Sequence, residues 1–149
     1  MSSGCRYGFG TESALEFDLL TEELEKILIR RGFNIVTRLR MDEVLKNSLN
    51  DSFGRYVILG ACHPEYAREL FSADPDIGLM MPCNLVVYEL ESGGCRMMVK
   101  DQALVMELIN NPVAIEASIK VKQQMEAVVE DVSNLGTKTL ASRLNPFSS

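Results

Sequence analysis

The sequence predicts an α+β fold with a mixed, largely antiparallel sheet of four to five strands and helices packed mainly on one face. Segments that alternate every second residue, such as residues 33–40, are interleaved with segments of helical period, such as residues 20–28. Glu91-Ser92-Gly93-Gly94 is typical of a hairpin turn between two Val-containing strands. A Rossmann fold is disfavoured, because Gly8-Phe9-Gly10 lies inside the first strand and no G-x-G-x-x-G follows it.

The individual elements follow from caps, prolines and periodicity. Pro64 and Pro112 suit the first position of a helix, where a missing N–H costs nothing. Asp101 suits an N-cap and Gly32 a helix end. The predicted order is an extended segment over residues 5–17, a helix ending near 32, a strand over 33–40, a helix over 41–49, a strand over 55–61, a helix over 64–72, a loop over 73–82, strands over 83–90 and 95–100, and two helices, one ending near 109 and one starting at 112.

Composition bounds the class of protein. A chain of 149 residues that is 46% hydrophobic is the size of one domain, which we assign to residues 1–133, with a polar tail over residues 134–149. The net charge of −6 argues against a nucleic-acid partner. No apolar run suits a secretory signal or a membrane span, so we expect a cytoplasmic protein without a membrane partner.

The candidate chemistry lies around Cys62. This cysteine ends a strand and stands directly before His63 and Pro64, at a predicted helix N-terminus. The free N–H groups and positive partial charge of such a terminus lower the pKa of a thiol. His63 is the single histidine and the one candidate for an imidazole base or ligand. The simpler interpretations are that Cys62 is a small buried hydrophobe and His63 an exposed capping residue.

A second segment completes the candidate site. Cys83 opens the next strand, with Asn84 beside it to orient a ligand or fix the turn. The preceding residues 77–82 are apolar and include Gly78 and Leu79, which favours a dimer interface or a ligand lid. Cys62, Cys83 and His63 are one ligand short of a closed zinc site, so we predict neither a metal nor a cofactor. If the strands carrying the two cysteines are antiparallel neighbours, both cysteines lie at the same end of the sheet.

These segments resemble a known family. Its double motif is carried here by Gly60-Ala61-Cys62-His63-Pro64, Ala67, Leu70, Asp74-Pro75-Asp76-Ile77-Gly78-Leu79 and Pro82-Cys83-Asn84-Leu85-Val86-Val87-Tyr88-Glu89. The chain is similar, over about residues 7–132, to the bacterial and archaeal family called domain of unknown function 302. The resemblance implies a compact α+β fold and a homodimer, puts Cys62 and Cys83 on motif positions, and implies no established activity.

Three functions remain open at this point. The first is a homodimeric binding or accessory module, not an enzyme, that holds a small ligand near Cys62, Cys83 and residues 77–82. The second is a thiol-based redox or sulfur-transfer protein that uses Cys62 as nucleophile and Cys83 as its resolving partner. The third is a structural interaction protein in which both cysteines are buried.

Overall fold

The computed structural model describes residues 2–135, so most of the predicted tail over residues 134–149 lies outside the described part of the chain. One sheet has the strand order β1-β2-β6-β5-β4-β3. The elements in chain order are β1 (Ser2–Cys5), β2 (Gly8–Ser13), α1 (Phe17–Arg30), β3 (Asn34–Arg40), α2 (Met41–Leu49), β4 (Tyr56–Cys62), α3 (Pro64–Ala73), a 3-10 helix (Pro75–Met80), β5 (Cys83–Glu89), β6 (Cys95–Lys100), α4 (Gln102–Met106) and α5 (Pro112–Ser133).

The α+β class is confirmed, but the strand count is wrong. The sheet of the described chain has six strands, not four to five, and each of its pairings is antiparallel. The extra strand arises at the start of the chain, where Arg6 and Tyr7 form a turn and β1 folds back on β2. Glycines at 4, 8 and 10 weaken the strand pattern there, so the sequence predicts a single extended segment where the structure has a hairpin.

Side-chain alternation gives the sheet two different faces. Helices α1 and α5 contact each other and strands of the sheet. On the covered face, the residues of β4, β5 and β6 are buried, as for Leu59, Leu85 and Met97. The opposite face, called the open face below, carries half-buried or exposed side chains from three neighbouring strands: Tyr56, Ile58, Asn84, Val86, Tyr88, Arg96, Met98 and Lys100.

The core has two parts. The larger cluster joins the covered face to apolar residues of α1 and α5, such as Leu24 and Val128. A smaller cluster lies among α3, the 3-10 helix, α4 and the start of α5, and consists of Leu70, Ile77, Met106, Ala114 and Ala117. The smaller cluster fixes the segment between β4 and β5. Within residues 2–135, no helix combines the length and the apolar character needed to cross a bilayer.

Candidate functional site

Cys62 and Cys83 lie at the same end of the sheet but on opposite faces. Strands β4 and β5 are antiparallel neighbours, and Ala61 pairs with Cys83. Because paired residues share a face and successive residues alternate, Cys62 points away from Cys83. Cys83 is buried in the larger core, whereas Cys62 is half-buried and pairs with Asn34 at the sheet end. The sheet itself therefore separates the two sulfur atoms.

Neither thiol is activated. Burial raises the pKa of the Cys62 thiol, which is opposite to the lowering that the helix N-terminus predicts. Burial raises the pKa of Cys83 to about 12, against a smaller opposing effect of Lys100. The Cys83 thiol instead approaches the backbone carbonyl of Lys100, at 3.8 Å. Both sulfurs are free thiols, in forms that are poor nucleophiles near neutral pH.

His63 is surrounded by aromatic side chains. It is the N-cap residue of α3, but its side chain makes no capping hydrogen bond. Its ring lies 5.3 Å from the Phe33 ring and 4.4 Å from the Tyr66 ring, centroid to centroid. A Cβ at Gly32 would come within 2.7 Å of its Nε2 atom, so the glycine leaves room for the imidazole. The expected capping role is not observed, and the ring packs as part of an aromatic group.

The segment between the motifs is a short 3-10 helix rather than a loop. Ile77 anchors it in the smaller core, while Gly78 and Leu79 face outward. Leu79 is 89% exposed, the highest value among the large exposed hydrophobic side chains of the described chain. A Cβ at Gly78 would lie 3.4 Å from the ring of Phe71, which is also exposed. Gly78 and Leu79 are thus part of an exposed surface that also includes Phe71.

A groove runs over the open face. Its volume is about 480 Å³, and its middle is apolar because Val86 pairs with Met98. At one end Tyr88 pairs with Tyr56, and their rings stack at 5.3 Å with an angle of 7°. The complete lining is Cys5, Tyr7, Gly8, Tyr56, Asn84, Val86, Tyr88, Arg96, Met98, Val99 and Lys100.

Of the six candidate residues predicted from sequence, Asn84 lines this groove. Cys62 lies at the edge of the same face, and Cys83, His63, Gly78 and Leu79 lie elsewhere. Most of the missed residues lie on the hairpin of β5 and β6. The others come from β4 and from the start of the chain, which are distant in sequence and meet the hairpin only in the folded sheet. The sequence did contain one signal, the residues that alternate with the apolar core positions of each strand. Tyr56, Tyr88 and Arg96 are such residues and face away from the core.

Lys100 connects the groove to the 3-10 helix. Its ammonium group donates hydrogen bonds to the carbonyl oxygens of Met80 at 3.1 Å and Pro82 at 2.9 Å. Within residues 2–135 it has no carboxylate within 4.0 Å, the distance that defines an ion pair. Burial lowers the pKa of Lys100. An ammonium group has three hydrogens, so one donor remains for a further partner.

The other polar groups of the groove are mostly donors as well. Arg96 is paired with Glu12 at 3.7 Å, at the outer edge. Burial, with smaller effects from Tyr88 and Tyr7, raises the pKa of the Tyr56 phenol, so the phenol stays neutral and keeps its proton. No group of three or more His, Cys, Asp or Glu side chains arranged to hold a metal ion occurs in the described range, residues 2–135.

Comparison with known proteins gives the family and the fold. No curated protein matches the chain. The crystal structure of the uncharacterized conserved protein DUF302 from Bacillus stearothermophilus is similar, with a TM-score of 0.78 and 21% identity, over 85% of this chain and 98% of that one. At that identity, the likeness concerns the fold. Residues 9–132 match the family described as domain of unknown function DUF302, which confirms the resemblance found in the motif residues, and the chain belongs to this family.

Proposed function

We propose that the protein is a homodimeric binding module whose ligand site is the groove of the open face. The observation that carries this proposal is the lining of the groove. An apolar middle formed by Val86 and Met98 is bordered by aromatic rings, an amide and an ammonium group with a free donor. An apolar surface with a few convergent polar groups is the usual composition of a small-molecule site.

The geometry gives less support to a thiol enzyme. Disulfide exchange requires two sulfur atoms that approach to bonding distance, and a reactive thiol requires a lowered pKa. Cys62 and Cys83 lie on opposite faces, and burial raises the pKa of both. A binding role needs neither property.

A larger cavity, about 790 Å³, lies beside α5 and is a weaker candidate for the ligand site. Its lysine, Lys122, is already paired with Asp101 at 2.9 Å. Its lining also includes Glu126 and Glu130. The one lysine of this cavity is therefore paired with a carboxylate, and the remaining charged groups of the lining are acidic. The open-face groove, in contrast, leaves a cation without a carboxylate partner.

The homodimer is proposed through the outward surface of the 3-10 helix. Leu79 is almost fully exposed, and Phe71 beside Gly78 is exposed as well. Neighbouring exposed apolar side chains are favourable to bury in an interface, and the twofold dimer is the commonest soluble assembly. Phe71, Gly78 and Leu79 are not among the residues that line the groove, so the proposed interface and the proposed ligand site use different residues.

A titration with indole, a neutral planar probe, tests the binding role. We expect backbone amide NMR shifts centred on Asn84, Val86 and Met98 at millimolar indole. Val86→Asp places a charge on the groove floor and should abolish these shifts, and Met98→Gln is a milder second variant. Val113→Asp is the matched control, because Val113 is exposed on α5 outside the groove lining. Shifts confined to the cavity beside α5, or no shifts at all, would contradict the proposal.

A further inference from the structure

The charge of the groove is opposite to that of the protein as a whole. The chain has 21 acidic and 15 basic residues and a net charge of −6. The groove lining nevertheless contains Lys100 and Arg96 and no aspartate or glutamate. In an acidic protein, a recess lined by cations and lacking carboxylates selects anions by charge complementarity.

The two cations of the groove are not equivalent. Arg96 already has Glu12 as a carboxylate partner. Lys100 donates two hydrogen bonds to neutral carbonyl oxygens, which orient its ammonium group without neutralising it. An anion therefore gains most at Lys100. Burial is the main cause of the lowered pKa of Lys100, because it disfavours the charged ammonium group. An anionic ligand that pairs with the ammonium group would offset this cost of burying the charge.

The spacing of the strand residues limits the shape of the ligand. Lys100 and Arg96 are four residues apart on β6, which is about 13 Å at roughly 3.3 Å per residue. Met98 lies between them, beside Val86 on the neighbouring strand. A molecule with its charge at Lys100 must therefore lay an apolar body over Met98 and Val86. The stacked rings of Tyr56 and Tyr88 close the far end of this apolar stretch.

The remaining polar groups suit a carboxylate. Asn84 is exposed and lies two residues before Val86, while Lys100 lies two residues after Met98. Since Val86 pairs with Met98 in antiparallel strands, Asn84 and Lys100 reach the same end of the groove. The Asn84 amide N–H₂ and the free ammonium hydrogen can each donate to one oxygen of a carboxylate.

We infer that the groove binds a small amphipathic carboxylate, with its head on Lys100 and Asn84 and its planar or branched apolar body on Val86 and Met98. This inference rests on the proposed binding function and names the chemical class of its ligand. It assigns Lys100 as the residue that determines specificity for charge, and the apolar pair as the residues that hold the body.

Three probes with one ring system and different charge test this inference. Indole-3-acetate is an anion, indole-3-acetamide is neutral, and tryptamine is a cation. The protein contains no tryptophan, so the emission of the probe reports its own binding. We expect indole-3-acetate to bind about tenfold more tightly than the amide, the ratio typical of one added charge-assisted hydrogen bond. Tryptamine should bind most weakly.

Variants of Lys100 assign the effect. Lys100→Met should lower the ratio of the affinities for indole-3-acetate and indole-3-acetamide from about ten to about one. Lys100→Arg should retain most of this preference for the anion. Lys120→Met, a change at an exposed lysine of α5 that pairs with Glu69 at 3.9 Å, should leave the preference unchanged. The comparison of the three probes on the unmodified protein needs no variant, so it stands even if Lys100→Met fails to fold.

The outcomes separate the two proposals. If all three probes shift groove resonances with equal affinity, or if tryptamine binds most tightly, the ligand class is wrong and the binding function stands. If none of the probes shifts groove resonances, both the ligand class and the binding function are wrong.

Discussion

Cys62 and Cys83 lie on opposite faces of one sheet, although they are at the same end of two neighbouring strands. Ala61, next to Cys62, is the residue that pairs with Cys83. This relationship separates the two parts of the family motif into different environments. Cys83 is part of the core, and Cys62 is at the edge of the open face.

The first prediction concerns oxidation. Treatment of native protein with diamide should form no disulfide between Cys62 and Cys83, because their sulfurs cannot approach to about 2 Å across a sheet. Peptide mapping by mass spectrometry detects the bond. Iodoacetamide should label the exposed Cys5 first and Cys83 only after unfolding, and Cys5→Ser should remove the fast phase. A Cys62–Cys83 bond in folded protein would overturn this account of the site.

The second prediction concerns Gly60, whose missing side chain allows close packing on the open face. A Cβ there would overlap Thr37 Oγ1 and come within 2.7 Å of Pro82 Cγ. Gly60→Ala should therefore lower the free energy of unfolding by about 1–3 kcal/mol, measured by urea denaturation. Gly54→Ala is the control, because a Cβ at Gly54 meets no atom within 4 Å. Equal stability of the two variants would contradict the packing at Gly60.

The third prediction concerns Asp42 and pH. Its carboxylate accepts hydrogen bonds from the Arg40 guanidinium at 2.9 and 2.8 Å and from the Tyr56 backbone N–H at 3.2 Å. The hydrogen bonds from Arg40 are the main cause that lowers the pKa of Asp42. A lowered folded-state pKa gives stability above the unfolded-state pKa, and that stability is lost as pH falls through the folded-state value. Asp42→Asn should thus cost about 1–2 kcal/mol at pH 7.

The difference between Asp42→Asn and the unmodified protein should shrink as pH falls below about 4, the ordinary range of aspartate. Urea denaturation at several pH values measures it. Glu43→Gln is the matched control, since Glu43 is 62% exposed and 3.8 Å from Arg40; it should change stability by less than about 0.5 kcal/mol. If the difference in the free energy of unfolding between Asp42→Asn and the unmodified protein grew at low pH, the pKa of Asp42 would be raised in the folded protein and not lowered.

The fourth prediction concerns assembly. Sedimentation at micromolar concentration should give a species of twice the 16.6 kDa mass of one chain. Leu79→Asp should shift the population to monomer by placing a charge in the proposed interface. Leu49→Asp, at a residue that is 70% exposed at the end of α2, should not. If the unmodified protein sediments only as a monomer, the proposed homodimer is wrong. If the protein is a dimer and Leu79→Asp leaves it a dimer, the interface does not lie at Leu79.

Much of the fold was predictable because local chemistry determines it. Pro64 and Pro112 begin helices, and the Asp101 side chain accepts from the Leu104 N–H as an N-cap should. The hairpin turn also behaves as predicted, with Gly93 and Gly94 at positive φ. The 3-10 helix was missed, because burial of Ile77 in the smaller core holds a segment whose prolines and glycine indicate a loop.

The candidate site was predictable only in part, because its position depends on strand pairing. Asn84 was found through its place beside Cys83 in the motif. Lys100, Met98 and Tyr56 show only the alternation of a strand face, which does not distinguish a ligand site from an ordinary exposed face. They meet because β6, β5 and β4 are neighbours in the sheet. The cysteines attracted attention through their residue type, whereas the sheet register determines that they face different environments.

Intermolecular NOE measurements with indole-3-acetate locate the bound probe relative to named methyl groups, and so test directly whether the groove of the open face is the ligand site. We expect NOEs from the indole ring protons to the Met98 ε-methyl and the Val86 methyl groups. Lys100→Met should weaken these NOEs, and Lys120→Met should not. NOEs confined to methyl groups outside the groove, such as those of Val113 or Leu104, would contradict a ligand site on the open face.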